Sequence, residues 1–289
     1  MTDRRLWWFL APVLAGSVLL VAIPALLTLL LSFAHYDGLS APRAAGLDNF
    51  RQAGADPLFW QALRNSLIFA AMAVPLRLLV ALGAGLLLAP PRRGVTAART
   101  AAALPTFVPD IAYAIAWVWI LNPLYGPLAG ALRAAGLPGT EVLLSAWGAR
   151  GSIVLMSLFQ VAEALVIIVA VRNEIPNELY DLSALEGASR WHVFRRVTLP
   201  LLAPTLILLA ARDVAFSLQT SFVPGLVVTQ GGPKYATLFL PLYTYQNAFG
   251  FLRFGYAGAM TLVMFLVTAA MVAVQIIAVR RWRGDVLPS

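Results

Sequence analysis

Long apolar segments recur along the chain and alternate with short polar stretches. A helix needs about 20 mostly apolar residues to cross the hydrocarbon core of a bilayer. Six segments meet that length within the boundary error of such an assignment: 6–33, 66–88, 101–121, 152–171, 201–223 and 257–279. Pro105, Pro109 and Asp110 interrupt the third, and the fifth carries Arg212 and Asp213. The pattern predicts an all-α integral membrane protein with six transmembrane helices in a single domain, 1–289.

Composition supports this class and excludes a soluble one. Of 289 residues, 60% are hydrophobic and 12% are charged, whereas an ordinary globular domain is about 25% charged. There is no cysteine, so disulfides and thiolate metal sites are excluded. Only two histidines, His35 and His192, are present, which argues against a multi-histidine metal site.

The first apolar segment follows Arg4 and Arg5, as the apolar core of a signal peptide would. It is too long for such a core, and no small-residue cleavage site follows it. We therefore expect a retained membrane anchor.

The placement of basic residues predicts an orientation. Six helices put both termini on one side of the membrane. Twelve of the 21 basic residues lie at the termini and in the two loops on that side, and seven lie in the other three loops. Because Lys and Arg are enriched in cytoplasmic loops, both termini are predicted to be cytoplasmic. This orientation accounts for the net charge of +8, so the positive charge need not indicate a nucleic-acid partner.

The loop 172–200, between the fourth and fifth segments, predicts a short helix over 178–186. Asn177 can cap its start, and Gly187 can end it in a left-handed conformation. Three leucines share one face because they are spaced three residues apart: Leu179, Leu182 and Leu185. An apolar face of this kind suits a groove on a partner protein.

A second short helix is predicted over 190–198. Ser189 can cap it, and Pro200 marks its join to the fifth apolar segment. The loop should therefore hold two short helices at a tight angle on the membrane surface.

This loop resembles the EAA loop of permease subunits in binding-protein-dependent ABC importers. In that pattern Glu-Ala-Ala is followed by a glycine and, further on, by Leu-Pro. Here Asp181-Leu182-Ser183 stands in place of Glu-Ala-Ala, and Gly187 and Leu199-Pro200 follow at the same spacings. Other segments are similar to the carbohydrate branch of the family, of maltose and glycerol-phosphate type: 46–50, 122–126, 229–233 and 248–256.

The resemblance implies a MetI-like permease core in a bacterial or archaeal cytoplasmic membrane. The expected partners are a second permease subunit in a heterodimer, two ATPase subunits, an extracytoplasmic substrate-binding protein and the lipid bilayer. ATP and Mg²⁺ belong to the ATPase, since this chain lacks a Gly-x-x-x-x-Gly-Lys-Ser/Thr phosphate loop. The chain itself is expected to bind no cofactor and to be no enzyme.

The resemblance also assigns the loop helix, 177–189, to coupling with the ATPase. The residues expected to make that contact are Asp181, Leu182, Ser183, Leu185, Glu186, Gly187 and Ala188. The alternative is an amphipathic helix that lies on the membrane without docking.

Polar residues inside the apolar segments indicate a substrate path, because intramembrane charges are costly and usually functional. The candidates are Asp110, Gln160, Glu163, Asp213, Ser217, Gln219 and Ser221. With the aromatic residues Tyr113, Trp117 and Trp119 they can form a site for a sugar or oligosaccharide. The alternative is structural pairing, of Arg212 with Asp110, Glu163 or a partner's acid and of Arg77 with Asp213, since buried charges are usually paired.

Other functions stay open at this point. The same machinery can import glycerol-phosphate, or a polyamine bound by the intramembrane carboxylates. An ion-coupled secondary transporter can use the same carboxylates as a relay. A membrane-embedded enzyme is disfavoured because the chain has no His-Glu-x-x-His pattern and no cysteine nucleophile.

Overall fold

The computed structural model describes residues 3–90, 93–136 and 142–286, with side chains over 9–90, 93–136 and 143–279. Arg92, which contributes to the charge count above, lies outside the described residues. The side chains of Arg4, Arg5, Arg280, Arg281 and Arg283 also lie outside the described set.

The described residues are mostly helical. The helices in the first half are α1 (Asp3–Ser17), α2 (Ile23–Leu31), α3 (Asp48–Ala55), α4 (Pro57–Leu88), α5 (Val95–Ala103), α6 (Asp110–Ile120) and α7 (Pro127–Ala134). Those in the second half are α8 (Ala146–Ser157), α9 (Ala162–Glu174), α10 (Asn177–Leu185), α11 (Arg190–Val193), α12 (Leu199–Thr220), α13 (Phe222–Pro224), α14 (Leu240–Tyr245) and α15 (Phe254–Val286). Single π-helical turns lie at Val18–Ala22, Phe194–Thr198, Gly225–Thr229 and Gln246–Gly250, and 3₁₀ turns at Leu104–Phe107 and Val142–Leu144.

Membrane-spanning length is reached by four helical segments in the described part of the chain: Phe9–Leu31, Pro57–Leu88, Arg190–Thr229 and Phe254–Val279. Two bent pairs bring the number of possible spans to six, namely Val95–Phe107 with Asp110–Ile120 and Ala146–Ser157 with Ala162–Glu174. The predicted all-α, multi-span class is confirmed.

The two bends have different origins. The third span turns by 100° where Val108 is extended before Pro109, because a proline disfavours the helical conformation of the residue before it. The fourth span bends by 48° between α8 and α9, although it contains no proline. This break was not predicted, and it places Glu163 in the first turn of α9, whereas the sequence placed it in the middle of a span.

Residues 190–198 are helical, as predicted, but they do not form a separate short helix. The chain continues from Arg190 through the π-helical turn and α12 as one helical segment that ends at Thr229. The π-helical turn ends at Thr198, two residues before Pro200, and local π adjustments let a helix accommodate the missing N–H of a proline. Ser189 does cap this helix, as predicted, by accepting a hydrogen bond from the N–H of His192.

The chain packs as two compact units. The first comprises the chain up to Gln61 together with Leu240–Leu266, and the second comprises Ala62–Phe239 and the chain from Val267 onward. The expectation of one domain over 1–289 stays a prediction.

In the first unit a short antiparallel hairpin, β1 (Ala34–His35) with β2 (Arg43–Ala44), follows α2. Asn49 is buried and its amide donates hydrogen bonds to the carbonyls of Ser32 and Ala34, both at 2.9 Å. At Gly255 a Cβ would lie 1.9 Å from the Ala34 carbonyl oxygen, so only glycine lets α15 begin this close to the hairpin.

A buried hydrogen-bond cluster also lies in the first unit. The Asp56 carboxylate accepts hydrogen bonds from the hydroxyls of Tyr243 and Tyr256. Burial alone would raise the pKa of Asp56, but these bonds and two from backbone N–H groups outweigh it and hold the pKa below its ordinary value. Burial and the hydrogen bond to Asp56 raise the pKa of Tyr243 to about 12.

In the second unit α4, α9 and α12 share an apolar core. Its buried members are Ala81, Val161, Ile168, Ile175, Leu202 and Leu209. At Gly85 a Cβ would lie 2.6 Å from Cγ2 of Ile168, so the glycine allows α4 to approach α9 closely. This core fixes the helices that carry the polar residues described below.

A polar network holds the loop that follows Thr229. The amide of buried Asn65 donates to the carbonyls of Tyr235 at 2.7 Å and Leu238 at 3.1 Å. Arg150 donates to Asn65 at 2.8 Å and to the carbonyl of Ala236 at 3.0 Å. The loop is therefore fixed to α4 and α8.

Candidate functional site

The loop 172–200 contains one short, well-terminated helix, α10. It begins one residue earlier than predicted, with Pro176 at the capping position, and the Asn177 side chain makes no capping bond. Gly187 has φ +72°, as predicted. Its N–H donates to the carbonyl of Ala184, and the N–H of Ala188 donates to that of Ser183, both at 3.0 Å. This is a Schellman termination.

The outer face of α10 is apolar and exposed. Leu182 is 58% and Leu185 85% exposed, and the acidic side chains of Asp181 and Glu186 are also exposed. The Ser183 hydroxyl donates to the carbonyl of Leu179 at 2.7 Å, so it is satisfied within the helix. Among the residues that the structure describes, nothing therefore covers most of the apolar surface of these two leucines, which lie between carboxylates.

The inner face of α10 is held by Tyr180. The guanidinium of Arg172, in the last turn of α9, lies 4.0 Å from the Tyr180 ring centroid. The Tyr180 hydroxyl lies 3.1 Å from the hydroxyl of Thr198, directly before α12. These residues and Ala188 line a cavity of about 360 Å³. Sequence reasoning missed this anchor, although Tyr180 is the one aromatic residue on the helix.

A second cavity, of about 180 Å³, lies between the spans of the second unit. It is lined by four of the predicted path residues: Asp110, Gln160, Glu163 and Asp213. The break between α8 and α9 contributes Gln160 and Glu163, and the bend before α6 contributes Asp110, its first residue. The interruptions of the spans thus bring the polar side chains together.

Two ion pairs lie in the wall of this cavity. Arg77 Nε of α4 lies 3.1 Å from Asp213 Oδ2 of α12, and Arg212 pairs with Glu163. The Arg77 and Asp213 side chains are 8% and 14% exposed, whereas those of Arg212 and Glu163 are 45% and 53% exposed. The pairing alternative is therefore confirmed for both arginines, and one pair is open to the cavity while the other is buried.

Three predicted path residues lie elsewhere. Ser217 is buried; its hydroxyl accepts from Arg77 and donates to the carbonyl of Asp213 at 2.6 Å. Ser221 is buried and donates to the carbonyl of Leu218 at 3.1 Å. Gln219 is exposed and does not line the cavity. The roles of all three in a substrate path stay predictions, and the geometry gives Ser217 and Ser221 structural contacts.

Three cavity residues were overlooked or undervalued in the sequence. Phe216 lies one helical turn after Arg212, and the Arg212 guanidinium is 4.7 Å from the centroid of its ring. The i, i+4 spacing of the two residues predicts such a contact. Thr106 and Thr220 add hydroxyls to the lining. Tyr113 and Trp117 instead pack in an apolar core with Met156.

A mostly helical protein with several spans, a polar cavity between them and a loop helix whose apolar face is exposed has the architecture of a membrane transport protein. The chain belongs to the family described as "Binding-protein-dependent transport system inner membrane component", whose profile matches residues 81–284. It is thus a multi-pass inner-membrane permease component. Its membership does not favour an ion-coupled secondary transporter or a membrane-embedded enzyme.

Relatives cover nearly the whole chain. A probable ABC transporter permease protein, YesP of Bacillus subtilis, is 30% identical over 90% of this chain and 85% of its own length. The lactose transport permease LacF of Rhizobium radiobacter is 28% identical over 96% and 95%. The probable starch degradation products permease AmyD of Thermoanaerobacterium thermosulfurigenes is 28% identical over 93% and 92%.

Solved structures share the fold. A chain of a bacterial ABC transporter involved in the import of the acidic polysaccharide alginate superposes with a TM-score of 0.81, 21% identity and 96% coverage of both chains. A second, from the alginate transporter in complex with a pentasaccharide-bound periplasmic protein, gives a TM-score of 0.79 with 20% identity, covering 94% of this chain and 93% of its own.

Proposed function

We propose that the chain is the permease subunit of an ATP-driven importer that translocates a sugar or oligosaccharide delivered by an external binding protein. The observation that carries the proposal is α10, a helix with an exposed apolar face that is anchored to two spans. The inner-membrane family of binding-protein-dependent systems supports the proposal, as do the lactose and starch-product permeases among its relatives.

In this proposal α10 is the coupling helix. Leu182 and Leu185 enter a groove of a cytoplasmic ATPase subunit, with Asp181 and Glu186 at its edge. Tyr180 joins the helix to the end of α9 and the start of α12, so a displacement of α10 is transmitted to both spans. ATP and Mg²⁺ are bound by the ATPase, and both termini of this chain face the same compartment as the ATPase.

The polar cavity is proposed to lie on the substrate path. Carboxylates, an amide and threonine hydroxyls can exchange hydrogen bonds with sugar hydroxyls, and the exposed ring of Phe216 can contact the apolar face of a sugar. A second permease subunit is proposed to complete the path, forming a heterodimer that carries two ATPase subunits.

Two matched leucines test the proposal. Leu185 on α10 and Leu39 in the hairpin loop are each 85% exposed, so arginine at either position costs little in folding. Uptake of labelled sugars is measured in cells lacking the chain and complemented with wild type, Leu185→Arg or Leu39→Arg. In parallel, ATPase co-purification with the tagged chain is measured.

We expect uptake of at least one sugar to depend on the chain. Wild type and Leu39→Arg should restore it and retain the ATPase, and Leu185→Arg should lose both. Full uptake with Leu185→Arg would contradict the coupling role of α10, and sugar uptake that never depends on the chain would contradict the proposed function.

A further inference from the structure

The polar cavity carries an uneven set of charges. Five ionisable side chains line it: Arg77, Asp110, Glu163, Arg212 and Asp213. Arg77 is paired with Asp213 and Arg212 with Glu163. Among the described residues Asp110 has no ion-pair partner. It is the first residue of the 11-residue helix α6. The lining therefore holds one carboxylate in excess.

Arg212 is the cation that a solute in the cavity would meet, because Arg77 is almost fully buried. Two neighbours already occupy its guanidinium. Glu163 neutralises its charge, and Phe216 covers one of its faces at 4.7 Å. An anionic solute would have to displace Glu163 and would also face the carboxylate of Asp110.

The remaining lining suits uncharged hydroxyl groups. Gln160, Thr106 and Thr220 offer both donors and acceptors, and the free carboxylate oxygens accept from hydroxyl donors. Membership of the family does not fix the charge of the solute, since similar chains include a lactose permease and a chain of an importer of the acidic polysaccharide alginate. The side chains of the cavity must therefore decide it.

We propose that this cavity accepts uncharged sugar units and rejects units that carry a carboxylate or sulfonate, and that Glu163 determines this selectivity by neutralising Arg212. The inference rests on the proposed function, since it requires the cavity to lie on a sugar path. It adds a substrate class, neutral sugars, and a specificity-determining residue.

Two trisaccharides of one size test the proposal: maltotriose, which is neutral, and trigalacturonate, which carries three carboxylates. The complex is purified by a tag on this chain and placed in lipid nanodiscs, without the binding protein. Saturation-transfer NMR, which detects millimolar affinities, then measures how tightly each trisaccharide binds to it. The wild-type complex should bind maltotriose at least about tenfold more tightly than trigalacturonate. A tenfold difference is the effect expected of one charge contact in a partly hydrated site.

Glu163→Gln releases the Arg212 charge, so the preference for maltotriose should fall about tenfold or more. Asp48→Asn is the matched control, because it breaks an exposed ion pair, with Arg51 at 3.2 Å, outside the cavity. It should leave the preference unchanged. Asp110→Asn removes the excess carboxylate without breaking an ion pair, and it should raise trigalacturonate binding even if Glu163→Gln fails to assemble.

Equal binding of the two trisaccharides to wild type would overturn the proposal, as would a preference that neither cavity variant changes. If sugar uptake in cells depends on the chain but neither trisaccharide binds the cavity, the proposed function stands and this inference fails. If no sugar uptake depends on the chain, the proposed function itself fails.

Discussion

Arg77 and Asp213 join α4 to α12 inside the second unit. Their charged atoms are 3.1 Å apart, and the two side chains are only 8% and 14% exposed. Ser217 accepts a further hydrogen bond from Arg77. Removing one charge leaves the other without a counter-ion in a place that water hardly reaches, so single and double replacements should differ sharply.

The expected magnitudes follow from this burial. Breaking a buried ion pair by removing one partner typically costs about 3–5 kcal/mol, whereas replacing both partners by apolar residues of similar volume is often neutral. We expect Arg77→Met and Asp213→Leu each to lower the free energy of unfolding by about 3 kcal/mol or more. The double variant should lie within about 1–2 kcal/mol of wild type, because no unpaired charge remains.

The assay is equilibrium unfolding in mixed micelles with rising SDS, followed by the fluorescence of the protein's eight tryptophans. Arg64→Met is the matched control, since Arg64 lies on the same helix but is exposed, and it should change stability by less than about 0.5 kcal/mol. The reasoning is refuted if the double variant loses as much stability as the two single variants together. It is also refuted if Arg77→Met costs no more than Arg64→Met.

Three further perturbations have defined outcomes. Tyr180→Phe keeps the ring but loses the contact with Thr198, so the free energy of unfolding should fall by about 0.5–1.5 kcal/mol. More ATP should also be hydrolysed per sugar imported, and an unchanged ratio of ATP to sugar would show that Tyr180 has no part in coupling. Gly187→Ala places a side chain at φ +72° and should lower the free energy of unfolding by about 1 kcal/mol in a thermal unfolding assay. Gly151→Ala should cost nothing, because a Cβ has open space at both glycines but Gly151 lies within α8 and has no positive φ. Because the pKa of Asp56 is lower in the folded protein than its ordinary value of 3.8, its ionisation stabilises the fold above pH 3.8, and this stability is lost as the pH falls through the folded pKa. Asp56→Asn should remove this part of the acid dependence, and an unaltered profile of stability against pH would contradict the assignment.

Much of the fold follows from the length of apolar runs. Their spacing predicts the spans because a bilayer accepts only helices whose backbone groups are paired internally. Pro105 and Pro109 predict the bend before α6. The break between α8 and α9 has no such marker in the sequence. The continuation of the helix through Pro200 has none either, because it depends on a local π-helical turn.

The candidate sites were predicted in part. The spacing of Leu182, Leu185 and Gly187 predicts an exposed, terminated helix without reference to the rest of the chain. Which side of α12 faces the cavity depends instead on how that helix is rotated against α4 and α9. Polarity alone therefore could not separate Asp213, which lines the cavity, from Ser217, which lies behind it.

ATP-driven uptake by the reconstituted complex tests the central claim most directly. Proteoliposomes contain the chain with its partner permease and ATPase, hold ATP and Mg²⁺ inside, and receive the binding protein with labelled sugar outside. We predict that sugar accumulates only when this chain and hydrolysable ATP are both present, and that Leu185→Arg reduces accumulation to background while Leu39→Arg does not. Accumulation driven by an ion gradient without ATP, or full activity with Leu185→Arg, would contradict the account.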